Sequence, residues 1–387
     1  MMKKILIGIC VAAAVLIAGI GFLWGNEIKT LSSFKTIINQ NLSHKDGYTY
    51  EMTFSGDYYF DDFLEQGGVS DDKELISFIT EKIANGIIPI SIEAPEIACS
   101  SFTATTEDGD FLFGRNYDFD PTNTAIIKTN PGNGRHASVS TVDLHFLGVD
   151  SEKGVSGLLE KVKLLACPYI PLDGINDAGV ACGIYMTYQG KDTVATDQNT
   201  EKPDITSTTM LRLILDYADD VEEAIALVSE YDLHDSANTS YHYMVADAKG
   251  NSAILEWVAG TDTTDNDGSK RELRVIRNEK PYQAVTNFIV EEGYYEESDE
   301  KAGYDRYEYL TENLEASDGI VKDEEEAMGL LKGVGRRTWL VDGDVTKGTT
   351  IHSAVYNLTD GTSYWVANEN YGSEEHRKFY DVNEFDF

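Results

Sequence analysis

The sequence predicts an α+β fold in which packed β-sheets are covered by helices. Three observations predict this class. Strand patterns joined by tight turns follow one another after residue 99, a long helical pattern occupies residues 207–231, and strand patterns then return in the C-terminal part. Because the helices are segregated between two groups of strands, packed layers are favoured over alternating β-α-β units.

The first 24 residues form a segment with a separate role. Lys3 and Lys4 precede an almost uninterrupted apolar stretch from residue 5 to residue 24, long enough to span a hydrocarbon core with the lysines on the cytoplasmic side. A cleaved signal peptide has a shorter apolar core and a small-residue cleavage site. We therefore favour an N-terminal membrane anchor over a cleaved signal. In either case the rest of the chain is exported, as an anchored or a secreted protein.

Residues 25–98 are predicted to be a structured pro-segment. Apolar residues recur at helical spacing over 28–38 and over 75–83, and residues 48–54 alternate as in a strand. The segment ends in a proline-containing stretch that leads directly into Cys99. The predicted domains are thus residues 1–24, 25–98 and 99–387.

The part from residue 99 onward begins with a predicted hairpin, SSFTATT and FLFGRNYDFD around the turn EDGD. Further elements follow in order: a turn and strand over 172–188, a helical block over 207–231, a hairpin over 241–258, a helix over 324–334 and a final hairpin over 350–371.

Composition excludes several classes of function. The net charge of −36 would repel phosphate backbones, so nucleic-acid binding is not expected. Of the four cysteines, one lies in the apolar stretch and three are widely spaced, which is a poor disulfide framework and contains no CxxC pair. The seven histidines form no metal-binding motif. We expect neither a metal nor a cofactor.

Cys99, Arg115 and Asp118 form the candidate reactive site. The first predicted hairpin folds the strand that carries Arg115 and Asp118 back alongside the strand that carries Cys99. A neighbouring arginine favours the thiolate, which is the nucleophilic form of cysteine. On spacing alone, a buried structural thiol beside a cross-strand ion pair explains the same residues.

The stretch CSSFTATTEDGDFLFGRNYDFD resembles the opening of the choloylglycine hydrolase family, which includes bile salt hydrolases and penicillin V acylases. Further resemblances follow in LDGINDAGV, AVTNF, DRYEYL and the closing hairpin. The resemblance implies a four-layer αββα N-terminal-nucleophile hydrolase fold. It also implies six catalytic residues: Cys99 as nucleophile, Arg115 and Arg306 beside the thiolate, Asp118 at the α-amino group, and Asn176 (backbone N–H) and Asn287 (side chain) as oxyanion donors.

Two features depart from the bile salt hydrolases. The interval from Asn287 to Arg306 is only 19 residues, shorter than in those enzymes, which puts their tetramer and pocket in doubt for this chain. In addition, 98 residues precede the cysteine. Such a leader is more similar to the acid ceramidase and N-acylethanolamine amidase relatives, in which it is cut at the cysteine and can stay bound.

The resemblance therefore implies self-cleavage between Ala98 and Cys99, followed by hydrolysis of a linear amide bond in a small N-acyl substrate. Two alternatives stay open: a membrane-tethered binding module that keeps the fold without the activity, and acyl transfer to an amine instead of water. The acyl and amine parts of the substrate, the fate of the pro-segment and the oligomeric state are left open.

Overall fold

A computed structural model describes residues 24–83, 98–188, 193–259, 268–339 and 349–385. None of the helices within these ranges is long and apolar enough to cross a membrane. Apart from Trp24, the apolar stretch interpreted as an anchor or signal lies outside the described residues, as does most of the proline-containing approach to Cys99.

The pro-segment is folded wherever it is described, with α1 (Gly25–Ser33), β1 (Lys35–Ile38), β2 (Thr49–Ser55), α2 (Phe60–Glu65) and α3 (Asp72–Lys82). Helix α3 starts at Asp71, whose side chain accepts the Glu74 N–H, and it buries Leu75, Phe78 and Ile79 along one face. The helix expected over 75–83 is thus confirmed, whereas the one expected over 28–38 ends at residue 33. There the backbone turns extended, and the β-branched residues of β1 pair with β2 instead.

Residue 98 begins a longer series of elements. In chain order the strands are β3 (Ala98–Thr106), β4 (Phe111–Phe119), β5 (Thr124–Asn130), β6 (Ser138–Asp143), β7 (Asp173–Asn176), β8 (Ala181–Met186), β9 (Asp204–Thr206), β10 (Asp232–His234), β11 (Tyr241–Ala246), β12 (Ser252–Ala259), β13 (Arg271–Arg277), β14 (Ala284–Val285), β15 (Ile320–Val321), β16 (Thr349–Asn357), β17 (Thr362–Ala367) and β18 (Arg377–Asp381). The helices are α4 (Leu158–Lys163), α5 (Ser207–Tyr217), α6 (Val221–Val228), α7 (Tyr304–Ala316), α8 (Glu324–Gly333) and α9 (Arg336–Trp339).

Two large sheets organise the described part of the chain. One has nine strands in the order β1-β2-β5-β6-β7-β8-β11-β12-β13, and the other contains β14-β3-β4-β16-β17-β18 with β15 pairing to β3. The three predicted hairpins are all confirmed, and the turn and strand predicted over 172–188 are part of a fourth hairpin, formed by β7 and β8. The predicted helical block is two helices, because Asp220 caps a new helix by accepting the Glu223 N–H.

The sheets face each other and carry helices on their outer sides. Side chains cross between the facing surfaces, since Arg115 of β4 contacts Asp173 of β7, and Tyr185 of β8 donates to Ser101 of β3. Helices α5 and α6 pack on the nine-stranded sheet, and α7 and α8 pack on the other. The expected αββα sandwich is confirmed.

The pro-segment is part of this sandwich. Strand β2 pairs in parallel with β5, so β1 and β2 form one edge of the nine-stranded sheet. Beside this junction, the Tyr58 hydroxyl donates to the buried Asp216 carboxylate (2.6 and 2.7 Å to its two oxygens), which also accepts from Arg212 (2.9 Å). Residues 25–98, the predicted pro-segment, are therefore joined to the rest of the fold by backbone pairing and by a buried polar network.

Candidate active site

Cys99 is the second residue of β3 and is completely buried while its bond to Ala98 is intact. Its backbone N–H donates to Oδ1 of Asn287 (3.0 Å), and its carbonyl accepts from Nη1 of Arg306 (2.6 Å). The same arginine donates through Nη2 to the Asn287 oxygen (2.7 Å). Residues that are 188 and 207 positions away in the sequence thus hold the backbone of Cys99 on both sides.

Asp118 lies beside the bond that precedes Cys99. It pairs with Ala98 across β3 and β4, and one of its carboxylate oxygens is 3.4 Å from Nη1 of Arg306. The other oxygen accepts from the Thr350 hydroxyl (2.6 Å). Burial raises the pKa of Asp118, and Arg306 and Thr350 only partly offset this rise. The carboxyl thus lies on the strand next to the bond between Ala98 and Cys99 and contacts the arginine that also binds the Cys99 carbonyl.

Arg115 is fully buried between the two sheets. It donates through Nε to Asp173 (3.3 Å) and through Nη2 to the Ile184 carbonyl (2.8 Å), and its guanidinium lies 4.4 Å from the centre of the Tyr185 ring. This arrangement holds a fixed positive charge beside the Cys99 thiol.

The thiol is nevertheless not activated in the uncut chain. Burial raises the pKa of Cys99, and the charge and hydrogen bond of Arg115 lower it by less than burial raises it. The neighbouring arginine favours the thiolate, as expected, but in this state desolvation outweighs the attraction.

Asp173 and Tyr185 belong to the site but were missed in the sequence. Although burial alone would raise the pKa of Asp173, hydrogen bonds and charge from His352 (2.8 Å), Arg115 and Tyr356 (2.6 Å) lower it to about 2. Asp173 is therefore ionised, and its hydrogen bond and charge hold the Arg115 guanidinium in place. The sequence offered a signal for both residues, because Asp173 begins the motif DGIN and Tyr185 lies on the strand that follows this motif.

The structure does not bring Asn176 to this cluster. Its backbone N–H donates to the Val180 carbonyl (3.0 Å), and its side-chain oxygen accepts the N–H groups of Ala178 and Val180. Its Nδ2 donates to the carbonyls of Leu215 and Ala218 at the end of α5. The expected oxyanion role of Asn176 is therefore corrected: its N–H is committed to the turn between β7 and β8, and its side chain ties that turn to α5.

Asn287 lies two residues beyond β14 and joins the two sheets. Its Nδ2 donates to the Met186 carbonyl at the end of β8 (2.8 Å), while its oxygen faces Cys99 and Arg306. The oxyanion role of its side chain remains a prediction. The structure thus groups Cys99, Arg115, Asp118, Asn287 and Arg306, five of the six residues expected to be catalytic.

Other groups with possible chemistry lie apart from this cluster or are inert. Cys167 and Cys182 are free and completely buried, and burial raises the pKa of both thiols, as expected of small core residues. Within the described ranges, no group of three or more His, Cys, Asp or Glu side chains is arranged to hold a metal ion.

The chain resembles known proteins in both sequence and structure. The model of a family described as linear amide C–N hydrolases, choloylglycine hydrolase family, matches residues 99–289. No curated protein matches the sequence. Two variants of the conjugated bile acid hydrolase from Clostridium perfringens are similar in structure at 16% identity, with TM-scores of 0.50 and 0.51, over 74% of this chain and 93% and 94% of theirs.

The penicillin V acylase from Agrobacterium tumefaciens is similar at 14% identity with a TM-score of 0.43, over 74% of this chain and 87% of that one. Because the identity is only 16%, the likeness to the conjugated bile acid hydrolase shows a shared fold and nothing further. That fold is the one of the N-terminal-nucleophile hydrolases.

Proposed function

Because the chain belongs, through residues 99–289, to the choloylglycine hydrolase family of linear amide C–N hydrolases, we propose that Cys99 is its nucleophile and becomes an N-terminal residue by self-cleavage. The observation that carries the proposal is the convergence of Asn287, Arg306 and Asp118 on the backbone of Cys99, with Arg115 beside its thiol. A purely structural thiol would not need two buried arginines and a carboxyl around it.

In the proposed cleavage, the Cys99 thiol attacks the Ala98 carbonyl carbon. The C–N bond to Cys99 breaks, the nitrogen takes up a proton, and residue 98 is held as a thioester that water hydrolyses to a carboxylate and the free thiol. The hydrogen bond from Cys99 N to Asn287 fixes the scissile peptide for this attack. The raised pKa of the thiol fits a slow reaction that happens once in the life of each molecule.

In the proposed turnover, the new α-amino group serves as the base. Its ordinary pKa is near 8, so at neutral pH a useful fraction can accept the thiol proton. Asn287 Oδ1 already lies 3.0 Å from this nitrogen, and Asp118 pairs with the residue that precedes it. Cys99 then attacks the amide carbon of the substrate, the leaving amine takes the proton, and water hydrolyses the acyl-enzyme. The second hydrogen on Nδ2 of Asn287, beside the one donated to the Met186 carbonyl, would donate to the oxyanion, a contribution of roughly 3 kcal/mol in comparable sites.

We further propose that the pro-segment stays bound after the cut. Its strand β2 supplies the sheet partner of β5, and its residues Phe60 and Phe63 are completely buried against Tyr169 of the catalytic part. Cutting one peptide bond removes none of these contacts. The mature protein would then consist of two non-covalently associated chains, exported and held at the membrane through residues 5–24.

The substrate class proposed is a small N-acyl amide. A panel that includes a glycine-conjugated bile acid, penicillin V, an N-acyl amino acid and an N-acylethanolamine samples the linear amides that such a site could hydrolyse. Adding a free amine such as hydroxylamine separates the two enzymatic alternatives, because acyl transfer would yield the acylated amine in place of the free acid.

The deciding experiment is intact-mass analysis and N-terminal sequencing of the purified protein, with Cys99→Ala as a matched variant. We expect a chain that starts at Cys99 in the wild type and only uncut chain in the variant, together with amide hydrolysis by the wild type alone. Uncut wild-type protein without activity on the panel would contradict the proposal and favour the non-catalytic binding module.

A further inference from the structure

A buried histidine and a buried glutamate pack against the segment that carries Asn287. His242 of β11 and Glu256 of β12 are cross-strand partners, both completely buried, and Nδ1 of His242 lies 2.8 Å from Oε1 of Glu256. Nε2 of His242 lies 2.9 Å from the Thr286 carbonyl oxygen. One ring nitrogen thus holds the residue that directly precedes Asn287.

Glu256 holds the same segment on its other side. Its Oε1 accepts the N–H of Val290 (2.7 Å), and its Oε2 accepts the N–H of Glu291 (3.0 Å). The pair therefore fixes the backbone one residue before Asn287 and three and four residues after it. A segment with almost no sheet pairing of its own is thereby anchored on both sides of the side chain that contacts Cys99.

The acceptor at one ring nitrogen fixes one proton. The Thr286 carbonyl can only accept, so Nε2 of His242 donates to it. The Glu256 carboxyl accepts two backbone N–H groups and contacts Nδ1 of His242. Both ring nitrogens of His242 are therefore hydrogen-bonded inside the core.

The pair is also connected to the thiol side of the site. The Tyr185 ring packs edge-on against the His242 ring, with centroids 5.6 Å apart and an angle of 84° between the planes. The Arg115 guanidinium lies over the same tyrosine ring. His242 therefore packs against Tyr185, the ring that lies under Arg115. It also binds the carbonyl of Thr286, the residue before Asn287.

We propose that His242 and Glu256 are positioning residues that hold Asn287 and Tyr185 in register with Cys99. The inference rests on the proposed function and deepens it: the pair acts through the backbone of residues 286–291. Three hydrogen bonds of the pair lie on this segment, which carries one of the side chains that contact Cys99.

The test uses His242→Gln in the full chain, with Glu256→Gln as a second variant. A displacement of about 1 Å at a catalytic group costs on the order of 100-fold in rate. We therefore expect kcat to fall by roughly 10- to 100-fold, with KM little changed, for whichever of penicillin V or a glycine-conjugated bile acid the wild type hydrolyses faster. Self-cleavage at Cys99 should slow in parallel.

Val245→Ala is the matched control. Val245 is buried in the same strand, but its side chain points to the opposite face of the sheet from His242. Assays run well below the unfolding midpoints of all variants separate positioning from stability. We expect the control to lose stability while keeping the wild-type kcat.

A second measurement does not depend on the variants folding. In wild-type protein labelled with ¹⁵N-histidine, Nε2 of His242 should carry a proton that exchanges slowly with solvent, because it donates to the buried Thr286 carbonyl. A His242 ring without a proton on Nε2, or an active wild type with His242→Gln retaining wild-type kcat and self-cleavage, would overturn the inference and leave the proposed function standing. A wild type that neither cuts itself nor hydrolyses the amides would overturn both.

Discussion

Removal of a single hydroxyl should loosen the pro-segment from the cut protein. The Tyr58 hydroxyl donates to both oxygens of Asp216, at 2.6 and 2.7 Å, across the junction between the pro-segment and the catalytic part. Tyr58→Phe deletes this bond and keeps the ring, which packs edge-on against Tyr169. The perturbation is therefore confined to one hydroxyl, which also accepts a longer hydrogen bond from Arg212 (3.4 Å).

The expected size follows from the partners that remain. A hydrogen bond to a charged group contributes about 1.5–3 kcal/mol. Asp216 keeps its ion pairs with Arg212 (2.9 Å) and Arg135 (3.4 Å), so its charge does not become unpaired. We therefore expect a loss of about 2 kcal/mol, which corresponds to about 30-fold weaker binding of the pro-segment.

The assay is urea titration of the cut protein, with released pro-segment measured by size-exclusion chromatography and mass spectrometry. Tyr48→Phe is the matched control, because the Tyr48 hydroxyl accepts from Gln40 within the pro-segment itself (2.9 Å). We expect Tyr58→Phe to release the segment at lower urea and the control to behave as wild type. Equal release by Tyr58→Phe and wild type would refute the reasoning, as would a pro-segment that already leaves without urea.

Three further predictions concern single side chains. Asn176→Ala should lower the free energy of unfolding by about 1–3 kcal/mol, because buried turn N–H groups lose their acceptor. The variant should still cleave itself at Cys99, which mass analysis checks. Loss of cleavage in a folded variant would contradict the role of Asn176 in the turn. Asp173→Asn should cost about 3–5 kcal/mol in urea unfolding at neutral pH, because Arg115 is left buried without its counter-charge; a smaller loss than that of a surface Asp→Asn variant would show that the arginine needs no such support. Burial raises the pKa of Asp235 to about 7, which hydrogen bonds from Thr196 and Ser207 offset only in part. Between the ordinary pKa of an aspartate and a pH of about 7, the carboxyl of Asp235 is deprotonated in the unfolded chain but protonated in the folded chain. The free energy of unfolding therefore falls as pH rises through this window. Asp235→Asn should remove that slope and raise stability at pH 8 by up to about 4 kcal/mol; an unchanged slope in urea unfolding at pH 5 and pH 8 would count against the assignment.

Much of the fold was predictable because local patterns and tertiary structure agree. Alternating strands with short polar turns predicted three hairpins, and helical spacing predicted the outer helices. The helix expected over 28–38 was partly wrong because its apolar residues suit either a helix or a strand. The parallel pairing of β2 with β5, which joins residues 75 positions apart, leaves no local signal at all.

The site was predictable to the extent that hairpin geometry and motif order define it. Arg115 and Asp118 follow from the pairing of β3 with β4, whereas Arg306 and Asn287 rested on the resemblance alone. Asn176 was misassigned because an asparagine in a GINDAG turn can serve the turn as easily as a substrate. The effect of burial on the pKa of the Cys99 thiol could not be predicted from neighbouring residue types, because it depends on both sheets covering Cys99.

The pairing of β2 with β5 has a practical consequence for producing this protein. Seven residue pairs, from Thr49 with Thr124 to Ser55 with Asn130, cover one side of β5. A polypeptide synthesised from residue 99 onward would display that side as a bare strand edge, with the core residues Ala125, Ile126 and Ile127 beside it. Such edges recruit other chains and aggregate. Recombinant expression should therefore start upstream of α1, so that β2 is present to pair with β5.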